Sequence, residues 1–254
     1  MENLPASLPL DLPSPWLNAA GMMGFAPPAQ AWNWPQPQGA FITNPISLGS
    51  RQPAERRAVI PYPGGALLHS GLPNPGLRRV LRAHASAWRR ASLPVWPHLF
   101  GEPEEIAAMV RILEEVEGVA ALEISIPLQA NREEAAALLR AARGELPLVA
   151  CLPLQLAHAA WLPELGSAGA SALHLDAPRG ALPDARGSLV RGRLYGAGLL
   201  PQVLEGLQAA QKTGLPVLVG GGIENPADGE LLLRAGALGV VVDVALWRAL
   251  AGEG

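Results

Sequence analysis

The chain has 254 residues, 19 basic against 22 acidic, a net charge of −3 and one cysteine. With 49% hydrophobic and 16% charged residues it has the material for a packed core, and its length suits one (β/α)₈ barrel, so global disorder is excluded. The charge balance gives no reason to expect nucleic acid or an acidic membrane as partner, the lone cysteine excludes a disulfide framework, and no apolar run is long enough to span a bilayer.

In chain order, apolar strands alternate with amphipathic helices. Strands are expected over Pro15–Ala20 and Gly39–Thr43, then a helix over Asn74–Ala91, with Asn74 as its cap and Leu77, Val80, Leu81 and Ala85 as its apolar stripe. A strand over Pro94–Leu99 precedes a helix over Glu104–Val116, whose first turn is acidic. Strands at Val119–Ile124, Leu148–Leu152 and Ala172–Leu175 are separated by a helix over Asn131–Arg143 and a helical stretch reaching about Leu165. A helix over Pro201–Lys212 leads to a strand over Val217–Val219 and the run Gly220-Gly221-Gly222. A helix over Pro226–Ala235, a strand over Gly239–Val242 and a short terminal helix complete the series.

Continuous apolar strands with helical crossovers indicate a parallel sheet, and eight such units favour a closed TIM barrel over an open doubly wound sheet. The whole chain, 1–254, is expected as one barrel domain. The connections 44–71 and 177–200 exceed plain links, and both follow strands, so they are expected as long loops at the C-terminal mouth, where barrel active sites lie. The N-terminus lacks a signal-peptide pattern, and the expected location is cytoplasmic.

The segment Pro216–Trp247 carries the most information. Its glycines allow close backbone approach, and free N–H groups after the last two barrel strands often hold a phosphate; a tight turn is the alternative reading.

Nine segments, in order, resemble the class 1 dihydroorotate dehydrogenases. SPWLNAAGMMG (14–24) is similar to NPI-x-x-ASG-x-FG, and GAFITNPIS (39–47) to the family's second strand. PGGALLHSGLPNPGL (63–77) is similar to PGG-x-LN-x-x-GL-x-NPG. FGEPEEIAAMVRILEE, ALEIS, LPLVACLP, LYGAGLLP, the glycine loop and the last strand follow. The resemblance implies an FMN-dependent barrel oxidising dihydroorotate, and a homodimer. It places the cofactor at Ala20, Asn44, Gly196, Gly221 and Gly222, and a small anionic substrate near Asn74, Arg57 and Arg193. No catalytic residue is assigned.

The chain also departs from that pattern. Lys212 is its one lysine; where the family has lysines beside the flavin stand Asn44 and Cys151, and Asp243-Val244 replaces a Gly-Thr at a phosphate loop. A carboxylate about 4 Å from a phosphate costs roughly 4 kcal/mol at an effective dielectric near 20. FMN binding is therefore expected to be weakened or lost, and the family's activity lost or altered. The alternatives are a non-catalytic binding or assembly subunit, or a barrel enzyme for another anionic small molecule.

His69, His98, His174, Glu123, Asp176 and Asp243 fall near strand ends or in mouth connections without metal-ligand spacing, so no metal site is expected. Cys151 reads as a small apolar filler before a nucleophile. Arg51, Arg56, Arg57, Arg179, Arg186, Arg191 and Arg193 would form a cationic rim if both long loops reach the mouth, and are otherwise solvated. Trp32 and Trp34 read as pocket cover or an interface, and equally as core.

Overall fold

A computed structural model describes residues 8–28 and 34–247. The strands are β1 (Trp16–Asn18), β2 (Gln38–Ile42), β3 (Ala58–Tyr62), β4 (Gly65–His69), β5 (Val95–Trp96), β6 (His98–Leu99), β7 (Leu122–Ser125), β8 (Leu148–Pro153), β9 (Ala170–Asp176), β10 (Arg179–Pro183), β11 (Leu189–Tyr195), β12 (Val217–Gly220) and β13 (Gly239–Val242). The helices are α1 (Leu77–Arg90), α2 (Pro103–Leu113), α3 (Arg132–Ala142), α4 (Glu164–Ala168), α5 (Leu200–Gln211) and α6 (Pro226–Arg234).

Nine strands form one parallel sheet in the order β5-β2-β1-β13-β12-β9-β8-β7-β6. Its two ends are halves of one strand: Pro97 separates β5, which pairs with β2, from β6, which pairs with β7. Proline has no N–H to give the ladder, so the strand breaks there while the sheet closes around it into a barrel. Strand for strand this is the expected (β/α)₈ architecture. Where β1 meets β2 the register shifts, and the buried Asn18 side chain takes over the ladder: its Nδ2 donates to the Ile42 carbonyl (2.6 Å) and its Oδ1 accepts from the Ile42 N–H (3.0 Å).

Helices α2, α3 and α6 begin with capping boxes at Glu102/Glu105, Asn131/Glu134 and Asn225/Asp228, each reciprocally satisfying N-terminal donors. Their buried faces, such as Ile106, Met109 and Leu113 of α2, pack on the outside of the sheet in one continuous core. Three local expectations change. Helix α1 starts at Leu77 behind Gly76, not at Asn74, because the Asn74 side chain is spent on loop backbone. The stretch after β8 is a 3-10 turn, Leu154–His158, followed by the short α4. The first strand is three residues long.

The two long connections are not plain loops. Together they build a four-stranded antiparallel sheet, β10-β11-β4-β3, joined through Arg193–Leu68, Leu194–Leu67 and Tyr195–Ala66. Because one connection follows β2 and the other β9, the sheet forms a lid on the C-terminal mouth. Glycines let it sit close: a side chain at Gly196 would collide with Gly64 and Gly65, and one at Gly65 with the Tyr195 carbonyl. Among the described residues no helix is long and apolar enough to cross a membrane.

Candidate active site at the lidded mouth

The barrel lumen is polar at its centre. Glu123, on β7, is fully buried and holds two histidines: its Oε2 lies 2.5 Å from His98 Nδ1 and its Oε1 2.6 Å from His174 Nδ1. β7 and β9 are not neighbours, so the Glu123–His174 contact crosses the lumen. Burial alone would raise the Glu123 carboxyl, but the charge and hydrogen bond of His174, then those of His98, hold it well below its usual range. Burial opposes a charge on His174, and Glu123 outweighs it, so the imidazole is raised above its ordinary value. Both outer nitrogens, His98 Nε2 and His174 Nε2, are buried without a hydrogen-bond partner. The Cys151 sulfur lies within 4.8 Å of ligand atoms of His98 and Glu123. Both Glu123 oxygens, however, are already taken by imidazoles, and burial, with Glu123 and Asp176, pushes the Cys151 thiol up, so it is held as the neutral thiol.

One layer nearer the mouth, Asp176 at the end of β9 meets the lid. Arg193 of β11 places Nε 3.1 Å from Asp176 Oδ2, without hydrogen-bond alignment, and Arg179 of β10 places Nη2 at 3.8 Å from the same oxygen. Burial would raise the Asp176 carboxyl; Arg193, then Arg179, lower it. Tyr195, next on the inward face of β11, is buried, and that burial raises its phenol. Asp243 closes the far wall. Its Oδ1 accepts from the Val244 N–H (2.5 Å), its Oδ2 is buried without a partner, and burial raises it to about 7.

Beside this group, a cavity of about 570 Å³ opens between lid and barrel. The lid supplies Val59, Gly64–Ala66, Leu68 and Tyr195–Ala197; Glu224, Val244 and Trp247 supply the opposite wall. A space of this size, mostly apolar with few polar groups, has the character of a small-molecule site.

The residues singled out in the sequence are spread through this arrangement. Ala20 is buried two residues past the end of β1. Asn44 is half-buried, and its Oδ1 accepts from the Gly24 N–H (3.0 Å). Gly196 lines the cavity. Gly221 and Gly222 lie against α5: a side chain at Gly222 would meet Leu200 backbone within 2.8 Å, and one at Gly221 would touch Val203 at 3.5 Å. Asn74 is buried, its Oδ1 receiving the Ser47 and Gly76 N–H groups and its Nδ2 donating to Leu72 O and Ser47 Oγ. Arg57 is exposed before β3, as are Arg56, Arg186 and Arg191, whereas Arg193 is buried at Asp176. Arg51 donates to the Gly71 carbonyl (2.7 Å). Trp34 packs on Trp16 with ring centres 6.1 Å apart; Trp32 lies outside the described residues. The sharing of Glu123 by two histidines and of Asp176 by two arginines is not visible in sequence, since strand register decides it.

No family model matches the chain. Against individual proteins it is 26% identical over 262 residues to the catalytic subunit of dihydroorotate dehydrogenase B (NAD(+)) of Trichlorobacter lovleyi, spanning 93% of this chain and 84% of that one. The subunit of the same name from Bacillus mycoides is 27% identical, over 96% of this chain and 86% of its own length. That of Pelobacter propionicus is 30% identical over a shorter stretch of 118 residues, 46% of this chain and 39% of the relative. Among solved structures, a DHODH from Eimeria tenella in complex with ferulenol superposes with a TM-score of 0.72 at 13% identity, over 94% of this chain and 80% of that chain; this likeness concerns the fold.

Fold and site together define a TIM-type α/β barrel with a β-sheet lid over a polar mouth. Within that class the chain is similar along most of its length to catalytic subunits of dihydroorotate dehydrogenase B (NAD(+)), and its fold is that of a DHODH.

Proposed function

We propose that this protein is a dihydroorotate dehydrogenase-type barrel whose family activity is lost or altered, and whose lidded mouth is kept as a small-molecule site. The carrying observation is how the side chains at the positions implied for cofactor and substrate are used. Asn44 and Asn74 bind the protein's own backbone, and Asp243 takes the Val244 N–H that would face an anion. At the centre, the Arg193 cation is countered by Asp176, and Cys151 is a buried neutral thiol where the resemblance has an ammonium. The glycines expected to cradle a phosphate approach the protein itself, Gly222 at Leu200 and Gly196 at Gly64. These residues do not fit FMN.

A second reading, a flavin oxidoreductase with altered substrate, is favoured by identity spread over 93% of the chain. An absorption spectrum of the purified native protein, with titration of added FMN, separates the two. The expected result is a colourless protein with no stoichiometric flavin uptake and no turnover of dihydroorotate with a dye acceptor. A yellow protein carrying flavin near one per chain would sink the first reading.

A further inference from the structure

At the centre of the lumen three neighbouring strands each bring one metal-binding side chain to the same place. In the β6–β7 register His98 lies directly opposite Glu123. On β8 Val149 stands opposite Glu123, and Cys151, two positions further on, keeps the same face of the sheet. One imidazole nitrogen, one carboxylate oxygen and the cysteine sulfur lie within 4.8 Å of one another. His98 and Glu123 are fully buried and Cys151 is 4% exposed. No sequence motif announces such a set, because each ligand comes from a different strand.

Hydrogen bonds alone do not complete this cluster. His98 Nδ1 and Glu123 Oε2 lie 2.5 Å apart, while His98 Nε2 and His174 Nε2 are buried with no hydrogen-bond partner. Buried polar atoms of that kind are rare and call for a reason, an ion among them. The charges suit a divalent cation, since a carboxylate and a thiolate together neutralise it. Binding requires the Cys151 thiol to give up its proton and His98 to offer the lone pair of Nδ1. The donor types choose among metals. Mg²⁺ and Ca²⁺ take oxygen shells, whereas imidazole, carboxylate and thiolate together suit Zn²⁺. Tetrahedral zinc, with bonds of about 2.0–2.3 Å, holds its donors about 3.4 Å apart, so His98 and Glu123 would part by roughly 1 Å. His174 acts from outside: its Nδ1 lies 2.6 Å from Glu123 Oε1 and fixes the carboxylate with Oε2 towards His98. We infer that the barrel lumen holds one Zn²⁺ between His98, Glu123 and Cys151, with His174 positioning the carboxylate. The site lies beneath the lidded mouth and does not depend on what that mouth binds.

Cobalt, which takes the same ligands and is coloured, is the probe. The full chain is expressed in minimal medium with Zn²⁺ or Co²⁺ as the added metal, so that the ion is present while the barrel closes, and is purified without chelator. Elemental analysis should find about one metal per chain, the tenancy of a closed structural-type site. The cobalt protein should show a sulfur-to-cobalt charge-transfer band in the near ultraviolet. The chain has one cysteine, so that band can come from no other thiolate of its own. Cys151→Ser should lose the band with circular dichroism unchanged. His174→Gln keeps all three ligands and should weaken zinc about 10- to 100-fold in competition with a chromophoric chelator. A native chain carrying far less than one metal, or cobalt bound without the sulfur band, overturns the proposal, and neither result needs a variant.

Discussion

Asp243 shows how one side chain can reverse the character of a loop. A carboxylate follows the last barrel strand where free N–H groups would suit an anion, and it takes the Val244 N–H for itself. Burial raises it to about 7 from 3.8, so the folded state holds a proton that the unfolded chain releases near pH 4. A folded carboxyl raised in this way costs stability as pH climbs from about 4 to about 7, and the cost is constant above that. Asn keeps the oxygen that accepts from Val244 and removes the ionisation. D243N should therefore be more stable than the native chain at pH 8, by up to roughly 4 kcal/mol, and near-equal at pH 4. Urea unfolding at the two pH values checks this; a gain of the same size at both would mean that ionisation is not the cause. Sequence alone gave the position of Asp243 but not its burial, and the same is true of Glu123 and Asp176. Each lies on or just past a strand that was recognised, but the two histidines on Glu123 arrive from 25 and 51 positions away in the chain and Arg193 reaches Asp176 from 17.

The barrel elements were legible because each declares itself locally. β8, LVACLP, is buried throughout, and α3 and α6 announce their starts with Asn131 and Asn225 and acidic residues three positions on. The lid was not. Its strands carry Pro61, Pro183, Gly180, Gly192 and several arginines, which read as loop, and β4 finds β11 more than a hundred residues away. What makes RGALP and LVRGRLY strands is each other, not their own propensity. A helix can equally depend on a neighbour. Gly229 lies in α6, where alanine is ordinarily the better residue, but a Cβ there would enter the Trp16 ring, with Cζ3 only 2.6 Å away. G229A should therefore destabilise the protein, by about 1–3 kcal/mol from overpacking, against the gain of up to 1 kcal/mol that helix propensity alone predicts. Thermal denaturation decides by sign.

At the scale of the molecule, a closed barrel and an open-edged sheet share one chain, and their stabilities need not be equal. The barrel strands β8, β9, β12 and β13 are buried along their length, whereas the lid leaves β3 and β10 as open edges and exposes Val59 of β3 at 68% and Leu189 of the inner strand β11 at 63%. Few buried apolar contacts and solvent-exposed backbone bonds favour opening short of global unfolding. The ion pairs of the lid with the barrel, among the described residues, converge on Asp176. Removing that carboxylate leaves two facing guanidinium groups with nothing to hold them down, and leaving one buried charge unpaired costs about 3–5 kcal/mol. In D176N the lid would relieve this by opening, which returns Arg193 to water while the barrel stays folded. Hydrogen exchange should then quicken across 58–69 and 179–195 by at least about tenfold, with β8 and β12 unchanged. Acceleration of the barrel strands to the same degree would show instead that lid and barrel unfold as one unit. The mouth chemistry would in that case be inseparable from global stability.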